Sequence, residues 1–467
     1  MKSSAFSITV ILVLLSIIGW QTVNASEGEL TARMIREFAD SVESDPAMKA
    51  LINAVTNNDL KDLAYNNRFH REHDALFNFK IETSGITDQK RSGRCWLFAG
   101  FNVMRPDVME KFNLNSFEFS ENYLFFWDKL EKANMFLEAV IETADRDIDD
   151  REVQTLMDNP VPDGGWWNYV VDLIEKYGAV PKEIMPETRN SSNTNRMNRQ
   201  LNETARVCAA SLRKAYAGGA DRKKLRKEKR ECLSRIYRLL VLHLGPPPSD
   251  FTWRVENRDE EIFEKEYTPL SFYREAVETD LSKYVNIMDH AAHEYEKLYR
   301  IRYCRNMPGA RDMEFINLPA ERLREFARSA LLNNEPVWFA ADVSRGNDTE
   351  NGILSSRAYD FESLTGNCGE LSKSDRIMYG ESIPGHAMVL IGMDMGENDR
   401  INKWLVENSW GADTGNQGLW TMYDEWFEKY VFSVIVHRRH LPEGVTGLLE
   451  TEPEILPAWD PMRKAFR

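Results

Sequence analysis

The sequence predicts an α+β protein, with helices gathered in the front of the chain and strands in the back. Three observations carry that expectation. The front reads as helical, with apolar positions at helical spacing and stop signals such as Gly178 after the segment 166–176. From Val337 onward, short β-rich runs at 337–339, 387–393, 403–406 and 432–437 are separated by turn residues. The composition, 42% hydrophobic and 11% aromatic over 467 residues, can fill a substantial core and excludes a disordered chain.

In chain order, residues 1–25 carry one charge, Lys2, an apolar stretch from Ser7 to Trp20, and small residues suited to cleavage before Ser26. That pattern predicts a signal peptide and export to a periplasmic or secreted location. Nothing later is apolar for long enough to cross a bilayer. Residues 26–80 are charged and helix-biased. Residues 95–140 hold apolar helical segments, expected to break at Pro106 and at the polar turn 113–116. Residues 160–186 contain Pro162, the pair Gly164-Gly165 and an amphipathic helix. Residues 187–335 are read as a mainly helical insertion, with 270–335 mostly helix. Within it, 222–238 carries nine Lys or Arg against two Glu, which reads as a solvated helix face, with an anionic-polymer surface as the minority reading. Pro246-Pro247-Pro248 marks a boundary. Residues 336–450 form the β-rich part, and 451–467 a C-terminal arm.

The formal charge of −15 argues against a general nucleic-acid binder. The five cysteines, Cys95, Cys208, Cys232, Cys304 and Cys368, leave at least one thiol unpaired within a monomer. Their spacing is unlike a disulfide framework and unlike a structural zinc site. No metal and no cofactor are expected.

Cys95 is the residue that asks for an explanation. It stands where the polar loop Asp88-Gln-Lys-Arg-Ser-Gly-Arg94 gives way to the apolar run 96–104, which reads as a buried helix. In the first turn of that helix, unpaired backbone N–H groups and the helix dipole favour an anion, so the thiol pKa is expected to fall. Gln89 can bring its side-chain amide to the same point. With the Cys95 backbone N–H it makes a two-donor oxyanion site. Taken alone, a cysteine beside Trp96 is more often plain core.

Partners downstream change that balance. Residues 387–393 and 404–411 read as two strands of a hairpin around the polar tip 396–399. Folding about the tip sets His386 opposite Asn408. A general base needs one fixed tautomer. The amide oxygen of Asn408 accepting from Nδ1 would supply it, leaving Nε2 for the thiol, and Trp410 would cover that bond.

With these residues in hand, the chain resembles the papain-like cysteine peptidases, and more closely the bleomycin hydrolase and aminopeptidase C group. The stretches that carry the resemblance are 88–96, 119–129, 177–182, 380–382, 386–388, 406–411 and 456–462; the middle, 187–330, matches poorly. The resemblance implies a papain-like fold, with Cys95 as nucleophile, His386 as base and then acid, Asn408 as its orienter and Gln89 as oxyanion donor. It implies structural support from Trp96 and Trp410, and substrate binding by Asp163, Gly164 and Gly165. It further implies that the arm enters the active-site cleft and that its terminal carboxylate, on Arg467, pairs with a substrate's ammonium group. The activity implied is removal of N-terminal residues from peptides by a homohexamer. A papain-like endopeptidase with a displaced arm, or an inactive binding protein of the same fold, is the alternative. The sequence departs from the group's pattern after Met462, where Arg463-Lys464-Ala465-Phe466-Arg467 replaces small residues. Ser92 stands where secreted papain-type enzymes have a disulfide cysteine.

Overall fold

The computed structural model describes residues 27–464 apart from Ser84, Asn367 and Cys368, and apart from the side chains of Asn398 and Lys464. The expected signal peptide, Cys368 and Arg467 therefore lie outside the described residues. Two compact units are distinguished. The smaller holds the described residues up to Ala64 together with 363–366. Its helices Ala32–Glu43 and Pro46–Asn57 start at Thr31 and Asp45, whose side-chain oxygens accept from the Met34 and Ala47 N–H groups. Among the described residues, no helix is long and apolar enough to cross a membrane.

The larger unit holds the rest. Its helices are α1 (Cys95–Lys111), α2 (Glu121–Glu142), α3 (Trp167–Tyr177), α4 (Asn195–Ala217), α5 (Arg222–Leu244) and α6 (Ala320–Leu332). The helix α1 is apolar on every side, and each residue from Cys95 to Arg105 is buried. The expected break at Pro106 does not occur: Pro106 lies inside α1. It forfeits one helical hydrogen bond, and the burial of Trp96, Leu97, Phe98 and Phe101 around it keeps the helix continuous. The end of α3 follows the expected stop signal. Gly178 takes φ +74°, and a Cβ there would stand 2.2 Å from the Pro269 backbone, so only glycine fits. Helices α4 and α5 form an antiparallel hairpin joined by a disulfide between Cys208 and Cys232, a pairing that cysteine spacing did not suggest.

The strands are β1 (Phe251–Glu256), β2 (Ile262–Tyr267), β3 (Tyr284–Met288), β4 (Lys297–Ile301), β5 (Glu314–Asn317), β6 (Val337–Ala341), β7 (His386–Met395), β8 (Ile401–Glu407), β9 (Leu419–Tyr423), β10 (Val431–His437) and β11 (Glu454–Leu456). The pair β1–β2 stands apart. The others form one sheet in the order β11-β4-β5-β3-β10-β6-β7-β8-β9, continued by the short strands Ile353–Leu354 and Asn347–Asp348. The four β-rich runs expected after Val337 are β6, β7, β8 and β10.

The expectation of mostly helix over 270–335 is overturned. Three strands, β3, β4 and β5, occupy 284–317. Their apolar residues Val285, Ile287, Leu298, Ile301 and Ile316 are buried. Of these strands, β3 pairs with β10, which is about 150 residues away in sequence, β5 with β3 and β4, and β4 also with β11, so partners that distant leave no local signal. The hairpin register is also corrected. The expected fold-back put Val389 opposite Leu405, whereas Val389 faces Glu407 and the ladder slips again at Gly392. A Cβ at Gly392 would meet the Phe79 carbonyl at 2.6 Å, because Phe79–Lys80 pairs with β7 there. The bulge makes room for that extra strand.

These elements fix the site. The helix α1 lies against the middle of the sheet, where the Trp338 indole of β6 donates to the Trp96 carbonyl at 3.1 Å. His386 opens β7 and pairs with Ala341 of β6. Cys95 opens α1. The two chemical residues thus sit at the starts of two rigid elements in contact.

Candidate active site

Cys95, His386 and Asn408 are all buried, at 3%, 3% and 1% exposure. The backbone N–H groups of Ala387, next to His386, and of Trp96 and Cys95 lie near enough to the Cys95 sulfur to favour its anionic form. The structure therefore brings 95 and 386 together. The His386 ring nitrogen Nε2 lies 2.8 Å from Asn408 Oδ1. This reverses the nitrogens expected from the sequence: Nε2 meets the amide, and Nδ1 remains for the sulfur. Asn408 is oriented in turn, because Oδ1 also accepts from the Ser409 N–H at 2.8 Å. The Trp410 ring lies 4.6 Å from the His386 ring, tilted by 34°, and covers the His386–Asn408 bond as expected.

The expected fall of the thiol pKa is not found. Burial pushes the Cys95 thiol up to about 12, against the backbone donors that lower it. Burial likewise pushes His386 down to about 4, against the Asn408 bond. For either group taken singly, desolvation outweighs the helix start.

Gln89 is buried and fixed at both ends of its amide. Its Oε1 accepts from the Ser409 hydroxyl at 2.8 Å, and its Nε2 donates to the Ser92 carbonyl at 2.7 Å. Its own backbone N–H donates to the Ser409 carbonyl at 2.9 Å. One Nε2 hydrogen is left over by this arrangement. Arg94, fully buried, pins the same loop. Its guanidinium grips Glu187 through two bonds of 2.8 and 2.7 Å and donates to Ser92 Oγ at 2.9 Å. Sequence reading missed Ser409 and Arg94. Each acts through a partner that is distant in the sequence, Gln89 for Ser409 and Glu187 for Arg94.

Asp163, expected to bind substrate, turns its carboxylate inward. It pairs with Lys129 Nζ at 2.6 Å and accepts from Thr194 Oγ1 at 2.5 Å, Asn198 Nδ2 at 2.8 Å and the Gly93 N–H at 3.1 Å. Although its burial favours the protonated form, the Lys129 ammonium and these donors hold its carboxyl well below the usual range. It is a clamp on the loop before Cys95. Gly165 is glycine for a packing reason: a Cβ would stand 2.7 Å from the Trp96 ring and 2.8 Å from Tyr169. Gly164 offers its carbonyl to Lys132 Nζ at 2.7 Å.

The C-terminal arm reaches this region. After β11, which pairs parallel to β4, Ala458, Asp460 and Met462 are buried. Arg463 donates to the Tyr303 carbonyl at 3.2 Å and lines one cavity with Gly164, Gly165, Trp166 and Tyr169.

A buried thiol at a helix start, an imidazole at a strand start and an amide behind it, carried on these helices and this sheet, define a papain-like fold. The chain belongs to the Peptidase C1-like family, whose model matches residues 29–463. It is 38% identical to aminopeptidase G of Lactobacillus delbrueckii subsp. lactis over 433 residues, covering 92% of this chain and 99% of that one. It is 37% identical to human bleomycin hydrolase over 450 residues, covering 94% and 99%. The crystal structure of PepW from Lactobacillus rhamnosis HN001 superposes with a TM-score of 0.91 at 36% identity, over 93% of this chain and 99% of that one.

Proposed function

We propose that the chain is a thiol-dependent aminopeptidase that removes N-terminal residues from peptides through an acyl-enzyme. The observation that carries this reading is the 2.8 Å bond from His386 Nε2 to Asn408 Oδ1 beside the buried Cys95 sulfur. The thiol proton passes to Nδ1 of His386. Sulfur attacks the carbonyl carbon of the first peptide bond. Both charges of the ion pair arise together, next to the α1 start and the Ala387 N–H, so no lone charge is buried. The oxyanion takes hydrogen bonds from the Cys95 N–H and the spare Nε2 hydrogen of Gln89. The imidazolium returns its proton to the leaving amine, which departs and leaves a thioester. His386 then takes a proton from water, whose oxygen attacks the thioester carbon; the C–S bond breaks, the amino acid leaves, and the imidazolium returns the proton to the Cys95 sulfur.

Restriction to amino termini is supported by the names of the relatives and by the arm, whose Arg463 borders the Gly164–Gly165 segment. On this proposal the arm blocks extension beyond the substrate's first residue, and its terminal carboxylate pairs with the free ammonium. Export is part of the proposal, supported by the Cys208–Cys232 disulfide, since such bonds persist in oxidising compartments. The test compares fluorogenic aminoacyl substrates, free and acetylated, on the full enzyme and on a form ending at Met462. Free substrates alone should be cleaved by the full enzyme, and acetylated ones gain only after truncation. Equal rates on both by the full enzyme would remove the arm from the account. Retained turnover in Cys95→Ala would remove the chemistry.

A further inference from the structure

We propose that His290, His293 and Asp460 form a binding site for one divalent transition-metal ion of the zinc class, which fastens the C-terminal arm to the sheet. His290 and His293 follow β3, and Asp460 lies on the arm, 170 residues from His290. His290 is fully buried and Asp460 nearly so, while the His293 side chain is 30% exposed.

The spacing is the first argument. His290 Nε2 stands 3.3 Å from each Asp460 oxygen, and His293 Nε2 stands 3.5 Å from Oδ2. One ligand atom from each of the three residues lies within 4.8 Å of the other two. Good N–H···O bonds measure about 2.9 Å. Ligands placed about 2.0–2.1 Å from a tetrahedral zinc ion stand about 3.3–3.4 Å apart. The separations here are those of coordination edges.

Preorganisation is the second. Asn317 holds the turn that carries both histidines: its Oδ1 accepts from the His290 N–H at 2.8 Å, and its Nδ2 donates to the carbonyls of His290, His293 and Glu294 at 3.2, 3.2 and 3.0 Å. Asp460 Oδ1 accepts from the Met462 N–H at 2.9 Å, which fixes the carboxylate plane. The rings of Phe315 and Tyr299 lie against His290 and His293. Neighbouring Asp289 is not a fourth ligand, because Tyr295 and Lys373 already take its two oxygens. Two imidazoles and one carboxylate suit zinc, cobalt or nickel rather than magnesium or calcium. The exposed side of His293 leaves the fourth position to water, as in three-ligand zinc sites. The expectation of a metal-free chain rested on cysteine spacing. The His-Ala-Ala-His run gains its third ligand only through the fold.

Coordination joins the arm to the β3–β4 turn by bonds that no solvent-exposed hydrogen bond matches. The link to activity rests on the arm's proposed role in the cleft; the site itself does not. The test uses the full chain with Cys95→Ala, so that the thiol–imidazole pair does not compete for metal. After chelation, Zn2+ is titrated calorimetrically and Co2+ by its visible absorption. One ion per chain with tetrahedral Co2+ bands is expected, with affinity lowered at least about 100-fold in His293→Gln and Asp460→Asn. His293 is part-exposed, so its variant folds even if Asp460→Asn does not. At a hundredfold excess over Kd, Zn2+ should slow tryptic cleavage at Arg463 by on the order of 100-fold. No stoichiometric binding, or binding unchanged in His293→Gln, overturns the site. Binding with unprotected Arg463 overturns the fastening of the arm. In a separate assay on the parent enzyme with Cys95 intact, unrestricted cleavage of acetylated substrates after metal loading overturns the proposed ruler and leaves the site intact.

Discussion

The ion pair between Arg105 and Glu407 joins the helix that carries Cys95 to the strand that leads into Asn408. The two are 2.8 Å apart with side-chain exposures of 2% and 0%. Arg105 also donates to the Gly85 carbonyl at 3.1 Å. The two halves of the pair respond differently to losing their partner. In Glu407→Leu the guanidinium is left buried, and it cannot lose its proton. That variant should lose about 3–5 kcal/mol of stability. In Arg105→Met the carboxyl is left buried, but it can take a proton. Burial already raises the Glu407 pKa with Arg105 in place, Arg105 opposing the shift, and removing Arg105 raises it further. A carboxyl whose folded pKa exceeds its unfolded value stabilises fully below the unfolded pKa and loses that contribution as pH rises through the folded value. Between those two values, Arg105→Met should therefore weaken relative to the parent by up to about 1.4 kcal/mol per pH unit as pH rises. The double replacement Arg105→Met/Glu407→Leu leaves no charge and should recover most of the loss. Urea unfolding at pH 5, 6, 7 and 8 reads all three. If Glu407→Leu costs under about 1 kcal/mol, or Arg105→Met shows no pH slope relative to the parent, the pair does not carry the burden assigned to it.

Other outcomes follow from the same geometry. The site keeps its shared proton between the pair's two apparent pKa values; with His386 at about 4 and Cys95 at about 12, kcat/KM should fall only toward acid and stay flat through pH 6–9. An alkaline limb near 8 would contradict that. Gly165→Ala should cost about 1–3 kcal/mol through the Trp96 and Tyr169 rings, read as a lower thermal midpoint; a variant with parental stability and only a raised KM would show that the glycine serves substrate instead. Replacing Cys208 and Cys232 together by Ser should cost roughly 3.5 kcal/mol, the chain-entropy value for residues 24 apart, and no change in unfolding free energy would count against it.

How much could be read beforehand varies by residue. Cys95, Gln89, His386 and Asn408 were legible because each sits at an element boundary whose signals are local: a glycine-bearing loop, an apolar run, two strands about a tip. The choice of ring nitrogen was not, because it depends on the side-chain rotamers of His386 and Asn408, which strand pairing alone does not set. The strands β3 to β5 were hidden because two of their partners, β10 for β3 and β11 for β4, are remote in sequence. Pro106 misled because burial overrode propensity. Asp163 was read as a substrate contact because the sequence shows a Gly-Gly pair beside it and not the lysine, threonine and asparagine that close on its carboxylate.

Ser409 meets the two chemical arms at once, its N–H on the amide behind the histidine and its hydroxyl and carbonyl on Gln89. Those arms come from opposite ends of the chain, so neither is aligned until both have docked. A nascent or partly unraveled copy consequently has no intermediate level of activity.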